Sequence, residues 1–277
     1  MFPVKRIITS ASTKGSEFAV EFPGGNLDDR VDVSRDSDLD AGTSPFAIST
    51  WVKCPLILFS DNQQIVGKGM MQIAPGDDKG WGMGYQTFSD YFLFECHHYS
   101  TSGYRIQAKY SADPAWVANK WLHIAATRTT HDADGTHNPS GVDSHYKIFV
   151  NGKQDATSTV IAVDGGTNDL LAADKAVDDN NSDFRVGMNH SNSMEFGPGQ
   201  ITDVAYYKGE ILPEHIQKIY SSGMGDFNHT SWEKSGDLTL WWKMGDGTER
   251  GSGSTIYDMS TNSYNGTVRV GAKIVAI

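Results

Sequence analysis

The sequence predicts an all-β protein, an antiparallel jelly-roll sandwich carrying one short helix. Three observations lead there. Many short stretches place apolar residues with a period of two, the spacing of a strand that turns one face to a core. Glycine, asparagine and proline signals separate those stretches. Only one segment has helical spacing, and the order of the elements suits a jelly roll.

In chain order, Glu17 to Phe22 alternates, with Phe18, Val20 and Phe22 on one face. Pro23-Gly24-Gly25-Asn26 reads as a turn and Arg30 to Val33 as a short strand. Phe46 to Lys53 alternates again, and Gln64 to Lys68 ends at Gly69. Gly80 to Gln86 sets Trp81, Met83 and Tyr85 on one face and glycine at positions 80, 82 and 84 on the other, so another backbone can approach closely. Tyr91 to His98 and Tyr104 to Tyr110 read as a hairpin.

The stretch from Trp121 to Lys153 carries the clearest pattern. It opens with a strand, Trp121 to Arg128, and closes with His145 to Val150, where Tyr146, Ile148 and Val150 share one face. The other face of that strand is expected to be wet. Asn151-Gly152 is a strong hairpin signal, because both turn positions tolerate positive φ, and it predicts a return strand at Lys153 to Thr157. The first strand and the hairpin are expected at the centre of the sandwich, with the polar loop Thr129 to Ser144 at its rim. Residues 154–183 read as a long polar, acidic loop.

Phe184 to Met188 and Gln200 to Tyr207 return to strand character. Broken alternation at Ile201, Val204 and Tyr206 predicts a bulge near Asp203. The helix starts at Leu212-Pro213-Glu214, with proline at an early position and an acid at the positive helix end. Ile216, Ile219 and Tyr220 share one face, and Ser221-Ser222-Gly223 stops it. Leu238 to Lys243, Ile256 to Asp258 and Asn265 to Ala272 supply closing strands. Residues 1–15 carry Lys5, Arg6 and Lys14 and no acid. They are expected to form an N-terminal arm, either frayed or docked on a partner subunit, and residues 16–277 a single sandwich domain.

Composition narrows the function classes. With 277 residues there is length for a substantial core, and 38% apolar with 11% aromatic residues excludes a disordered tail. The formal net charge of −11, with no basic cluster longer than Lys5-Arg6, argues against nucleic-acid binding, which depends on neutralising phosphates. No apolar run reaches the length of a membrane span, and Met1 to Ser10 lacks the apolar core of a signal peptide, so the chain is expected to be made in a cytoplasm. Cys54 and Cys96 are too few for a disulfide framework; each reads as a small buried thiol, with one bridge between them as the alternative.

Four stretches, in order, resemble the concanavalin A-like, laminin G and pentraxin-type jelly-roll domains. They are Phe22 to Val33, Phe46 to Lys53, Trp121 to Arg128 with Lys147 to Lys153, and Gln200 to Gly223. Together they span roughly residues 17–225. The tail, LTLWWKMGDG followed by IYDMSTNSYNGT, is similar to a segment that closes or extends such sandwiches, and its texture is similar to laminin G-type structural proteins of tailed bacteriophages. The resemblance implies a non-enzymatic virion structural protein, a capsid decoration, head-fibre or tail-associated subunit docked on viral capsid or tail subunits and able to form a homo-oligomer. Its alternative is a calcium-dependent lectin or adhesin that binds host-surface glycans.

The residues give candidate sites for both. Asp132, Asp134, Asn138 and Asp143 offer hard oxygen ligands on one loop, as a Ca2+ ion requires, and family members bind calcium at the sandwich rim. Asp28-Asp29 and Asp178-Asp179-Asn180 are rivals, and a solvated acidic turn is the plain alternative for each. Trp81, Tyr85, Tyr99 and Trp116, with Tyr104, could stack on a sugar, although strand tryptophans commonly belong to a core. The paired-carboxylate pattern of the family's glucanases is missing. Glu17 and Glu21 share a face with no Asp between them, and Glu95 stands alone in its strand, so no catalytic residue is expected.

Overall fold

The structure is a computed structural model that describes residues 16–25, 28–54, 62–69, 80–86, 91–97, 105–110, 118–129, 146–154, 160–163, 177, 182–189, 194–244 and 253–277. The expected N-terminal arm, residues 1–15, lies outside them. The first strands are β1 (Phe18–Phe22), β2 (Arg30–Val33), β3 (Phe46–Lys53), β4 (Gln63–Lys68) and β5 (Trp81–Gln86). Next come β6 (Tyr91–His97), β7 (Arg105–Tyr110), β8 (Trp121–Arg128), β9 (Tyr146–Val150) and β10 (Lys153–Gln154). Then follow β11 (Val160–Val163), β12 (Phe184–Val186), β13 (Gly199–Tyr207) and the helix α1 (Pro213–Ser222). The chain ends with β14 (Leu238–Trp242), β15 (Thr255–Ile256), β16 (Gly266–Arg269) and β17 (Lys273–Ala276).

Two antiparallel sheets result. One runs β10-β9-β8-β3-β13-β1-β17, with β14 also paired to β13; the other runs β11-β7-β6-β5-β4-β12-β2-β16-β15. The strands after residue 217 therefore belong to the same two sheets, β14 and β17 to the first and β15 and β16 to the second. Between the sheets lies the main core. Its aromatic centre joins Phe46 and Trp81 (centroids 5.3 Å apart), Trp81 stacked on Tyr206 (5.5 Å), and Phe184 edge-on to Trp242 (5.5 Å).

A second core lies on the outer side of the first sheet. Ala47, Ala125, Phe149, Ala205 and Tyr207 meet Ile216 and Ile219 of α1 and Trp241 of β14. The first sheet is thus covered on both faces, which corrects the expectation of a wet face on β9: Phe149 is 1% exposed. The same cover explains why every residue of β3 except Lys53 is buried.

The hairpin at Asn151-Gly152 forms as expected, with Asn151 at φ 51° and Gly152 at φ 72°. A Cβ on Gly152 would stand 2.8 Å from the Tyr220 ring, so glycine also lets α1 settle on the turn. The hairpin's place differs from the expectation, however. β9 and β10 sit at one edge of the first sheet, β8 sits one strand further in, and β3 and β13 form the middle. The bulge near Asp203 is present. The β3–β13 register shifts between Thr202 and Ala205, and Asp203 adopts φ 53°. Residues 154–183, read as a loop, contain β11, which pairs with β7.

Both cysteines are free and buried, and Cys54 donates its S–H to the Pro198 carbonyl at 3.0 Å. A thiol reagent is therefore expected to label neither sulfur in the native protein and both after urea unfolding, read as absorbance of the released chromophore. Labelling at native rates would contradict this burial.

Candidate functional site

The sequence-predicted positions do not converge. Trp81 and Tyr85 are 0% and 1% exposed and face the inter-sheet core, so neither ring is open to a sugar. The reason is strand parity: the side opposite the glycines of β5 is the side that meets the other sheet. Tyr99, Tyr104 and Trp116, and the calcium candidates Asp132, Asp134, Asn138 and Asp143, lie outside the described residues, as do Asp178, Asp179 and Asn180. Asp28 and Asp29 have structural partners. Asp29 Oδ1 accepts from the Gly271 N–H at 2.7 Å and pins the turn between β16 and β17, while Asp28 pairs with Arg30 at 3.2 Å. Glu21 pairs with Lys273 at 2.9 Å.

Two polar groups sit deep beneath α1. Ser49 Oγ and His123 Nε2 are 2.8 Å apart, a spacing that would suit a nucleophile and its base. They are 1% and 0% exposed, and His123 Nδ1 has no partner among the described residues to orient the ring. Trp51 and Tyr220 stack against each other and both rings abut His123. A substrate could not reach this pair, so its place is structural.

Asp203, placed inward by the bulge, accepts from Trp241 Nε1 at 2.8 Å through Oδ1 and from the Gly225 N–H at 3.1 Å through Oδ2. Tyr207 hydrogen-bonds His229 Nδ1, and His229 Nε2 lies 3.7 Å from Asp203 Oδ1. Burial, with the neighbouring His229, lowers the His123 pKa to about 3. Burial, with nearby Lys243, brings His229 to about 3 as well. Burial raises Asp203 against the opposing pull of its donors.

The open site is elsewhere, where the end of β13, the start of β14 and two surface segments meet. A cleft of about 590 Å3 lies there. Leu238 and Thr239 line it from β14; Lys208 follows β13, and Ser235 to Asp237 make a 3-10 turn beside it. Asp38 enters from the 3-10 turn Ser37–Leu39, and Ser260, Asn262 and Tyr264 come from the loop before β16. The Tyr264 hydroxyl donates to Asp38 Oδ2 at 3.2 Å and lies 3.5 Å from Asp36 Oδ1. Burial and these two carboxylates hold the phenol up at about 12, so it stays a donor at any physiological pH. Asn262 Nδ2 donates to the Thr239 carbonyl at 2.8 Å, which fixes the amide at the rim.

The cleft thus presents carboxylates, hydroxyls, an amide, a phenol and an ammonium over one cavity of small-ligand size. None of its residues was singled out as a site residue from sequence. They come from separate segments with no common spacing. The one available signal was the Asp-x-Ser spacing at Asp258 in the tail, here used only for the family likeness.

Two face-packed antiparallel sheets, one short helix and a polar cleft at the sandwich border define a concanavalin A-like jelly-roll module. The laminin G-type family model described as "Concanavalin A-like lectin/glucanases superfamily" matches residues 24–217, and the chain belongs to that family. No curated protein matches the sequence. Among solved structures, a Bacteroides ovatus protein named for carbohydrate binding is similar at 19% identity and a TM-score of 0.58, covering 95% of this chain and 61% of its own. The chain therefore spans about three-fifths of that protein's length. A heptameric SAP-like pentraxin from Limulus polyphemus is similar at 9% identity and a TM-score of 0.51, covering 94% of this chain and 95% of its own. At these identities both likenesses are likenesses of fold.

Proposed function

We propose that the chain is a non-enzymatic, lectin-like glycan-binding module and that the cleft between Asp38, Lys208, Asp237, Asn262 and Tyr264 is where the sugar sits. One observation carries the reading: polar side chains of complementary kind converge there on an open cavity. Sugar hydroxyls donate to the carboxylates and accept from amide and ammonium, so a polyol can satisfy both sets at once. The name of the Bacteroides ovatus protein of the same fold supports the same direction. The non-enzymatic part of the reading rests on the closure of the Ser49–His123 pair beneath α1. Bound Ca2+ at Asp132, Asp134, Asn138 and Asp143 would add a second, metal-dependent anchor to the same function.

A glycan array run with and without chelator tests this. Binding is expected, and the double variant Asp38→Ala, Asn262→Ala is expected to weaken it about tenfold or more, since two hydrogen-bonding groups leave the site. Binding lost on chelation would assign the affinity to the metal loop. An array without any bound glycan would remove the reading. The virion placement, with docking on capsid or tail subunits and assembly in a host cytoplasm, draws on the likeness of the 238–267 segment to tailed-phage structural proteins. Its test is mass spectrometry of purified particles, and absence of the chain from them ends it.

A further inference from the structure

The segment from Asp258 to Gly266 is the part of the tail pattern that the fold does not explain by itself. Asp258 forms an isolated bridge with Trp242 and Gly266 opens β16; between them the chain is a loop, and donors around it turn inward to one carboxylate. Asp258 Oδ1 accepts from the Trp241 N–H and from the Ser260 N–H, both at 2.9 Å. Asp258 Oδ2 accepts from Ser260 Oγ at 2.6 Å and from the Tyr264 N–H at 2.9 Å. The Asp258 N–H in turn donates to Asn265 Oδ1 at 2.9 Å, closing the neck of the loop from the other side. Trp242 Nε1 donates to the Tyr264 carbonyl at 2.7 Å. Gly266 completes the seat: a Cβ there would stand 2.7 Å from Val31 Cγ1 and 3.0 Å from the Trp242 ring.

We propose that Asp258 is the positioning residue of the cleft: it fixes the loop that carries Asn262 and Tyr264, so that these two side chains are held at the cavity before any ligand arrives. The proposal takes as its site the cleft of the glycan-binding reading. Asp258 is not among the cleft-lining residues, so its effect on a ligand passes through Ser260 and Tyr264. Charge-assisted bonds to backbone N–H groups are among the stronger ones, and a loop fixed in its bound geometry loses less entropy on binding. Ser263 at φ 64° shows what the fixed path requires: a non-glycine residue is held in the left-handed region between the two anchored ends.

Two variants test the proposal. Asp258→Ala removes all four acceptor contacts. Asp258→Asn keeps Oδ1 but sets an amide donor against the Tyr264 N–H; the Ser260 hydroxyl can turn to accept from that amide and donate to the Thr239 carbonyl, so the variant breaks the Tyr264 contact alone. In both, amide exchange at Tyr264 is expected to quicken about tenfold or more, the equivalent of one lost hydrogen bond. The Tyr264 phenol, read as the difference from Tyr264→Phe in alkaline titration, is expected to fall from about 12 toward the ordinary tyrosine range as the loop leaves Asp36 and Asp38. Binding of the array's best glycan is expected to weaken by a similar factor, with the far-ultraviolet circular dichroism of the sheets retained in Asp258→Asn. Unchanged exchange and titration in both variants would overturn the proposal, and so would a loosened loop with intact glycan affinity. If the parent protein binds no glycan, the glycan-binding reading fails by itself, and exchange and phenol titration still decide whether Asp258 holds the loop.

Discussion

Between pH 7 and pH 4.5 the urea midpoint of unfolding is expected to fall steeply, by the equivalent of several kcal/mol. The cause is a pair of buried histidines, His123 beneath α1 and His229 against Tyr207 and Trp241. Both are fully buried, and burial lowers each to about 3 in the folded chain. In the unfolded chain a histidine titrates near 6.5. A group whose folded pKa is depressed contributes stability that is complete above the unfolded value and is lost as pH falls from there toward the folded value. The window is therefore pH 6.5 down to about 3. At about 1.4 kcal/mol per unit, each histidine costs roughly 3 kcal/mol at pH 4.5. Against a total stability of about 5–15 kcal/mol, two such costs are large.

Asp203 works in the opposite sense. Its pKa is raised by burial, so the cost of keeping it charged in the folded state is relieved as the pH drops, and it offsets part of the loss. The other hydroxyl and charged groups beside the pair, among the described residues, are Ser49, Tyr207, Tyr220 and Lys243. Replacing both histidines, His123→Gln with His229→Gln, is expected to lower stability at pH 7 and to flatten the acid slope. A parent midpoint that stays level between pH 7 and pH 4.5 would refute the assignment. So would a double variant that keeps the parent's slope.

The contrast between what was legible in sequence and what was not follows the range of the interactions. The bounds of β2, β3 and β8 are those that period-two reading gives, because alternation and turn residues are local facts. The bulge at Asp203 and both ends of α1 were legible for the same reason. β11 was not. Val160-Ile161-Ala162-Val163 is a continuous apolar run without alternation, set in a polar stretch, and its partner β7 lies some fifty residues earlier. The cover on the outer face of the first sheet was hidden too. Periodicity shows that Phe149 and Tyr146 point opposite ways, and both rings turned out to be buried because α1 returns over the Phe149 side. The cleft is the extreme case. Asp38 and Tyr264 are 226 residues apart in sequence and meet through a hydrogen bond that only the folded topology creates.

Trp81→Ala is expected to destabilise the protein by about 3–5 kcal/mol, the usual cost of emptying a tryptophan site in a packed core. The indole touches Phe46, Phe184 and Tyr206, which come from strands of both sheets, so its removal leaves a void at the centre of the sandwich. Trp81→Phe separates packing from polarity. The indole N–H is buried without an acceptor among the described residues, an unfavourable state that phenylalanine removes. Phenylalanine also fills most of the volume. Its cost is accordingly expected to be about 1–2 kcal/mol, well under that of alanine. Urea titrations followed by circular dichroism give both values without relying on tryptophan emission. The alternative expectation, a sugar-stacking Trp81, makes the reverse prediction: glycan affinity lost and stability kept. A cost below about 1 kcal/mol for Trp81→Ala would return the residue to the surface and refute the core assignment, because no buried side chain of that size leaves so small a gap.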